Sequence, residues 1–380
     1  MSIDIKVVET KKELKTFVKF PHKLYKGNPY WVPQLIAEDM EIFNKEKNPA
    51  LETAEIKLFL AYKDGKLAGR VAAILSHAAN KKYNTKNLRF GWFDSIEDYE
   101  VAEALLRSVE TWGKELGMES MTGPHGFTDL DPEGMLIEGY DQLPTIAVYY
   151  NYPYYPEYVS KYGFEKEIDW IEFKGFPPYD TGMPEKLLRI AEKLKKRSSL
   201  HILKFKKKSE IKPLIGKLFH LIDEAFDEIY GSVPITEKQV RYYVTKYFPM
   251  VNKDLLKVVA NKEGEPVGFI LALPSLSKGF QKAKGKLLPF GWFHILRAAA
   301  RKDNKIVDLY LAGILKKYRG MGADLMLLLA LAESIMERKF DWVESNPELE
   351  TNTKIHGQWK HFRTENHKRR RLFRKKIEIK

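Results

Sequence analysis

"KKYRGMGADLM", residues 316–326, sets three basic side chains ahead of two glycines one residue apart and then opens an apolar run. A chain that only turns from strand to helix needs none of this. A helix N-terminus, however, leaves its first backbone N–H groups unpaired and carries partial positive charge, which favours an anion. Glycines let such a backbone approach phosphate oxygens closely and adopt positive φ. Lys316, Lys317 and Arg319 add full charges at the same point, and the apolar run Leu325 to Ala332 would anchor the loop against a sheet. The stretch reads as a cradle for a phosphate-bearing ligand. A capped, well-packed turn with surface cations is the competing reading. A P-loop would need Gly-Lys-Ser/Thr, which "GMGADL" lacks. A dinucleotide fingerprint would want a third glycine where Leu325 stands and its first glycine directly after the strand, although Asp341 or Glu344 lies at a workable distance for a ribose contact.

Working outward, "IVDLYLAGI" before the stretch patterns as a strand, "GADLMLLLALAESIMER" as a helix and "FDWVES" as another strand. The first half offers the same order in "RFGWFDS", "YEVAEALLRSVETWGKEL" and "MESMTG". A closer repeat lies upstream of each: "AYKDGKLAG" at 61–69 and "ANKEGEPVG" at 260–268 share Ala61/Ala260, Lys63/Lys262, Gly65/Gly264 and Gly69/Gly268 at a constant offset. Both read as hairpins with a glycine-containing turn. "IDIKVV" and "LHILKF" open the two halves, each followed by helical patterns. The chain therefore reads as two copies of β-α-α-β-β-β-α-β with a final α-β. The predicted division is 1–178, a linker helix over 179–199 beyond the Pro/Gly cluster "GFPPYDTGMPEK", and 200–380. "FGWF" recurs at 90–93 and 290–293, but the second copy runs into helix-patterned "HILRAAARK". That match reads as coincidence, inside an insertion of residues 275–303 confined to the second half.

This order, with its basic glycine loop between strand and helix, resembles the GNAT superfamily of acyl-CoA-dependent N-acyltransferases in a tandem arrangement. The family's loop has Gln or Arg, two residues, Gly, one residue, then Gly or Ala. Lys317-Tyr318-Arg319-Gly320-Met321-Gly322 matches it, with Lys at the first position. "YVSKYGFEKEIDWIEF" at the end of the first half resembles the family's turn into its last strands. The resemblance implies an α/β fold of two domains, each a mixed, mostly antiparallel sheet flanked by helices. It also implies acetyl-CoA or another acyl-CoA as co-substrate, with no metal, and an acyl group passed from a thioester to the amine of a small molecule or peptide. Gly313, Ile314 and Leu315 would offer backbone groups to the pantetheine arm. Lys317, Tyr318, Arg319, Gly320, Met321, Gly322 and Ala323 would hold the pyrophosphate, and Asn346 would position the arm. Glu344, at the end of the next strand, is the expected general base. The Tyr that many members place after that strand as acid is missing, since no Tyr follows Tyr318. His356, His361 or a water would have to substitute.

The first half has "SIEDYEVAEALL" where the cradle would stand, with Glu97, Asp98 and Glu100 near the helix start. Carboxylates there suit the helix dipole and repel a pyrophosphate, so the first copy reads as degenerate. "GPHGFTDLDPEGM" (123–135) groups His125, Asp129, Asp131 and Glu133. Without a second histidine or regular ligand spacing it reads as a polar loop rather than a metal site. "YYNYPYYPEY" (149–158), with six tyrosines, reads either as packing between the copies or as the wall of a pocket.

Composition narrows the classes. The chain has 380 residues and no cysteine, which excludes disulfide frameworks and thiol nucleophiles. The opening "MSIDIKVVET" has no signal pattern, and no apolar run is long enough to cross a bilayer, so a cytoplasmic location is expected. The net charge of +13 is concentrated: residues 360–380 carry ten Lys/Arg against two Glu, a net of +8, leaving +5 for the remaining 359. That tail, "HKRRRLFRKKIEI", reads as a closing strand of the second copy. The functional alternative for that charge is an acidic partner, either an acyl carrier protein, an anionic membrane surface or nucleic acid, the last disfavoured because no stacking platform accompanies the run. Two alternatives to the acyl-CoA reading stay open. One is transfer from a carrier protein or aminoacyl-tRNA, and the other a CoA-sensing or interaction protein without chemistry.

Overall fold

A computed structural model describes residues 2–300 and 305–378; residues 301–303 of the expected insertion lie outside them. In chain order the elements are β1 (Ile3–Val7), α1 (Lys11–Leu24), α2 (Ile36–Ile42), β2 (Ala54–Lys63), β3 (Lys66–Ser76), α3 (His77–Tyr83), β4 (Asn87–Ser95) and α4 (Tyr99–Glu115). They continue with β5 (Ser120–Gly123), β6 (Met135–Glu138), α5 (Tyr154–Lys161), β7 (Glu165–Phe176), α6 (Glu185–Arg197), β8 (His201–Ile202), α7 (Ile215–Phe226), α8 (Glu237–Tyr247), β9 (Leu256–Ala260) and β10 (Pro266–Pro274). The remainder are α9 (Ser277–Ala283), α10 (Gly291–Ala299), β11 (Ile306–Ile314), α11 (Ala323–Glu337), β12 (Trp342–Glu344), β13 (Glu348–Leu349), α12 (Thr353–Trp359) and β14 (Arg363–Lys376).

Two compact units result: Met1–Ile171 with Ser277–Leu296 and His367–Lys380, and Glu172–Leu276 with Arg297–Asn366. They are not the contiguous 1–178 and 200–380 of the sequence reading. Ser277–Leu296 of the expected insertion and the tail from His367 belong to the first unit, and the chain enters the second partway along β7.

In the first unit the strands run β1-β2-β3-β4-β5-β14-β7, with β6 also on β14. α4 and α5 cover one face through Val101, Leu105, Leu106, Tyr155 and Val159. Phe17 and Val18 of α1 help cover the other. The tail does form a strand, but in this sheet, where Phe373 pairs with Gly123 and Lys376 with Ser120. Its cations are engaged within the unit. Arg371 makes a bidentate contact with Asp169 at 2.8 and 3.0 Å, Arg374 meets Glu167 at 3.1 Å and Lys375 meets Glu110 at 3.0 Å. Arg370 and Lys368 are fully buried. Much of the basic run thus has a structural role in this unit.

The second unit's strands run β7-β12-β11-β10-β9-β8. α7 packs on one face through Leu218, Leu221 and Ile222 against Val258 and Phe269. α11 packs on the other through Leu331 and Ile335 against Val307. The repeated glycines have a steric reason. A Cβ on Gly69 would stand 2.7 Å from Leu105 and 3.0 Å from the Asp94 carbonyl, and one on Gly268 would stand 3.0 Å from Ile314 and from Val259. Both hairpins need a bare backbone where neighbours crowd the strand.

Candidate functional site

β11 and β12 run parallel only from Ile306/Trp342 to Asp308/Glu344. β12 then stops while β11 continues to Ile314. Among the described residues the edge of β11 from 309 to 314 has no ladder partner on that side, so a V-shaped opening begins at Asp308 and Glu344. On its other side β11 slips register against β10. Leu271 pairs with Leu311 and Ala272 with Leu309, which leaves Tyr310 as the extra residue of a bulge. Asn346 spans the opening, its Nδ2 donating to the Tyr310 carbonyl at 2.8 Å.

The basic glycine stretch sits at the far end of β11. Residues Lys316–Tyr318 make one 3-10 turn, Gly320 has φ +77° and Gly322, the N-cap of α11, has φ +88° with no side chain capping the helix. The first intrahelical bond runs from the Met326 N–H to the Gly322 carbonyl, so the N–H groups of the first turn are left for an outside acceptor. A Cβ on Gly320 would meet nothing within 4 Å, whereas one on Gly322 would meet Leu194 of α6 at 2.4 Å. Gly320 therefore faces open space, and Gly322 lets α6 close over the side of the loop. The space, the uncapped N–H groups and the cations fit a pyrophosphate.

Two features temper that fit. Lys316 and Arg319 contact the exposed Glu228 at 3.1 and 3.4 Å. Arg319 also donates to the Ala225 carbonyl at 3.0 Å, so it ties the end of α7 as well. These cations hold Glu228 below the usual carboxylate range, chiefly through the Lys316 contact. Asp324 puts a carboxylate in the first turn of α11, where it accepts from Gln358 at 3.4 Å. Exposed ion pairs are weak, so a polyanion carrying several charges would displace Glu228 readily.

Glu344 is buried at the mouth of the opening beside the equally buried Asp308. The sequence reading did not single out Asp308, or the Tyr310 hydroxyl, which is buried with no hydrogen-bond partner among the described residues. Burial first, then Asp308 and Tyr247, push that phenol well above its ordinary range. A second omission lies on the elements after β12. Glu348 accepts from Trp359 Nε1 at 2.9 Å, its other oxygen is 3.8 Å from His356 Nε2, and burial pushes it up to about 8. Burial lowers His356. Both shifts favour the neutral forms, a protonated carboxyl beside an uncharged imidazole. His356 was one of the substitutes considered for the missing acid; only burial reveals Glu348, since "NPELE" reads as a polar loop.

The first unit repeats the splay without the cradle. β4 and β5 pair from Asn87/Ser120 to Arg89/Thr122 and then part. The space between them is a cavity of about 60 Å³ lined by Tyr25, Arg70, Asp94, His125, Tyr149 and Tyr155 among others. Arg70 Nε holds Asp94 at 2.7 Å, and Tyr25 donates to the same carboxylate at 2.8 Å. At the start of α4, Asp98 accepts from the Glu100 N–H and is paired with Lys63, so the anion position is filled by a side chain. Asp131 accepts from the Phe127 and Thr128 N–H groups at 2.8 and 2.9 Å, organising its own loop. Among the described residues no group of three or more His, Asp or Glu could hold a metal.

A sheet that splits beside a glycine-turned helix, preceded by a second sheet with the same order, is the GNAT fold in tandem. No family model matches the chain. Among solved structures it is similar to a tandem GNAT protein from the clavulanic acid biosynthesis pathway, at TM-score 0.56 and 10% identity over 99% of both chains. Among curated proteins it is 27% identical to Protein YghO of Escherichia coli (strain K12), over 97% of this chain and 94% of that one. It is also 27% identical to the bacterial ceramide synthase of Caulobacter vibrioides (strain NA1000 / CB15N), over 91% and 90%.

Proposed function

We propose that this protein is an acyl-CoA-dependent N-acyltransferase whose second unit binds the donor. The observation that carries this is the coincidence of two features at opposite ends of the free edge of β11. One is the uncapped α11 N-terminus behind Gly320 and Gly322. The other is the buried Glu344 at the point where β12 leaves.

In this reading the α11 N–H groups, Lys317 and Arg319 hold the pyrophosphate, and the edge of β11 at Gly313 and Ile314 hydrogen-bonds the pantetheine arm; Leu315, expected to join them, is already engaged, its N–H donating to the Val267 carbonyl and its carbonyl accepting from the Tyr318 N–H, each at 2.9 Å. Binding both substrates in one opening removes most of the entropic cost of their encounter. Glu344 accepts a proton from the acceptor ammonium. The free amine attacks the thioester carbonyl, the C–N bond forms and the C–S bond breaks. The Glu348–His356 pair delivers the proton that the departing thiolate needs, and the proton that the nitrogen sheds on becoming an amide restores the pair through solvent. The products are an amide and the free thiol.

The acceptor is proposed to be a long-chain amine and the donor a fatty acyl-CoA. A relative matched over nine-tenths of the chain is named a ceramide synthase, and a ceramide is the amide of a long-chain amino alcohol. Calorimetric titration with CoA, acetyl-CoA and palmitoyl-CoA tests the donor site in wild type and Gly320→Glu. One site per chain, lost in the variant, supports it, while equal binding by both removes it. A panel of short- and long-chain amines with the donor that binds then tests the acceptor.

A further inference from the structure

Residues 277–299 leave the second unit's strand order and pack on the first unit. Ser277 Oγ donates to the Pro144 carbonyl at 2.7 Å, and Gln281 Nε2 to the carbonyls of Pro29 and Trp31 at 2.7 and 3.0 Å. The Ile36 N–H donates to the Gly285 carbonyl at 2.9 Å. Gly285, at φ +76°, lies so close to His22 that an added Cβ would be 2.2 Å from the ring. The base of the segment is thus fixed. Past Gly285 the chain turns its apolar side chains outward: Leu288 is 76% exposed, Phe290 69% and Leu296 59%, with Leu287, Trp292 and Phe293 also exposed. Of twelve exposed large hydrophobic side chains among the described residues, six fall in this one stretch. A concentration of that kind marks a contact surface rather than scattered surface residues.

Charge decides what it contacts. Residues 277–299 contain Lys278, Lys282, Lys284, Lys286 and Arg297 and no acidic residue. Protein–protein interfaces are depleted of lysine, whereas apolar and indole side chains bordered by basic residues are what an anionic bilayer surface takes up. α10 has nine residues, about 14 Å of helix, and no helix of the described chain is long and apolar enough to cross a membrane. The segment suits lying in the interface, not spanning it.

We propose that residues 286–297 dock this protein on the surface of an anionic lipid bilayer. Leu287, Leu288, Phe290, Trp292, Phe293 and Leu296 enter the headgroup region, and the flanking lysines meet the lipid phosphates. The proposal does not depend on the acyl-transfer reading, because binding is measured without turnover.

The test is co-sedimentation of the full chain with vesicles of phosphatidylcholine alone and of phosphatidylcholine with about a third phosphatidylglycerol. It is run on wild type, Phe290→Ser/Leu296→Ser and Lys284→Glu/Lys286→Glu, with unfolding temperature and oligomeric state measured alongside. These side chains are exposed, so all three proteins are expected to fold alike. Wild type should prefer anionic vesicles at least about tenfold, and each variant should lose most of that binding. High salt should weaken wild type. Absence of binding to anionic vesicles, or equal binding by wild type and both variants, overturns the proposal. So does a dimer that dissociates in the serine variant while no protein sediments with vesicles.

Discussion

Asp308 and Glu344 stand opposite one another as the last pair before β11 and β12 part. Both are buried. Two carboxylates side by side out of water are costly to maintain, and a fold that keeps them at the mouth of an open strand edge concentrates polar chemistry there. Glu344→Gln is expected to lower turnover by about a hundredfold or more while leaving CoA affinity within twofold of wild type. Matched calorimetry and kinetics check it, and full activity in the variant removes Glu344 as base.

Gly320 and Gly322 should separate binding from stability. Gly320 faces open space, so Gly320→Glu should abolish CoA binding with only the modest instability of a left-handed residue, about 1 kcal/mol. Gly322→Ala meets Leu194 and should unfold at clearly lower temperature. Equal melting points for the two variants would contradict the packing of α6 on the loop.

Glu228 occupies the cations that the ligand would use. Glu228→Gln should therefore tighten CoA binding severalfold, with the gain shrinking at high salt. Arg319→Ala should weaken binding and also loosen α7, because the Ala225 carbonyl loses its donor.

Glu348 gives the pH dependence its sign. Its folded-state value is about 8 against an ordinary 4.5, so the folded protein holds this proton more tightly than the unfolded chain. Its contribution to stability is complete below the unfolded value and is lost as pH rises through about 8, with a slope up to about 1.4 kcal/mol per pH unit between them. Glu348→Gln should flatten that slope in urea titrations from pH 5 to 8. If the pair donates a proton to the thiolate, the same variant should remove the alkaline fall in kcat. An unchanged alkaline limb with a flattened stability slope would make Glu348 structural only.

Removing residues 367–380 should unfold the first unit, not the second, because this part of β14 pairs with β5 and buries Leu372 and Phe373 there. Losing two such core side chains alone costs about 4–8 kcal/mol, comparable to a whole domain's stability. Hydrogen exchange resolved by peptide would report which half loses protection.

The strand–helix order and the glycine loop were legible because each is local. Alternation and 3.6-residue periodicity follow from backbone geometry, and Gly320 and Gly322 mark left-handed positions that other residues resist. The AYKDGKLAG/ANKEGEPVG repeat was legible because each copy needs a bare backbone at its second glycine. Which sheet a strand joins is not local. "HKRRRLFRKK" reads as a closing strand of the second copy, where the chain order puts it. Only the pairing with β5, and the carboxylates of Asp169, Glu167 and Glu110, assign it to the first. "FGWF" makes the point most sharply: at 90–93 it lies inside β4 with its three aromatic rings buried, and at 290–293 the same rings are exposed. Burial also raised the proton affinity of Glu348, since a carboxyl's proton affinity depends on the water removed around it. The sequence by itself determined the elements, their duplication and the basic glycine turn. Tertiary structure decided sheet membership, burial and proton affinity, because these depend on neighbours distant in the chain.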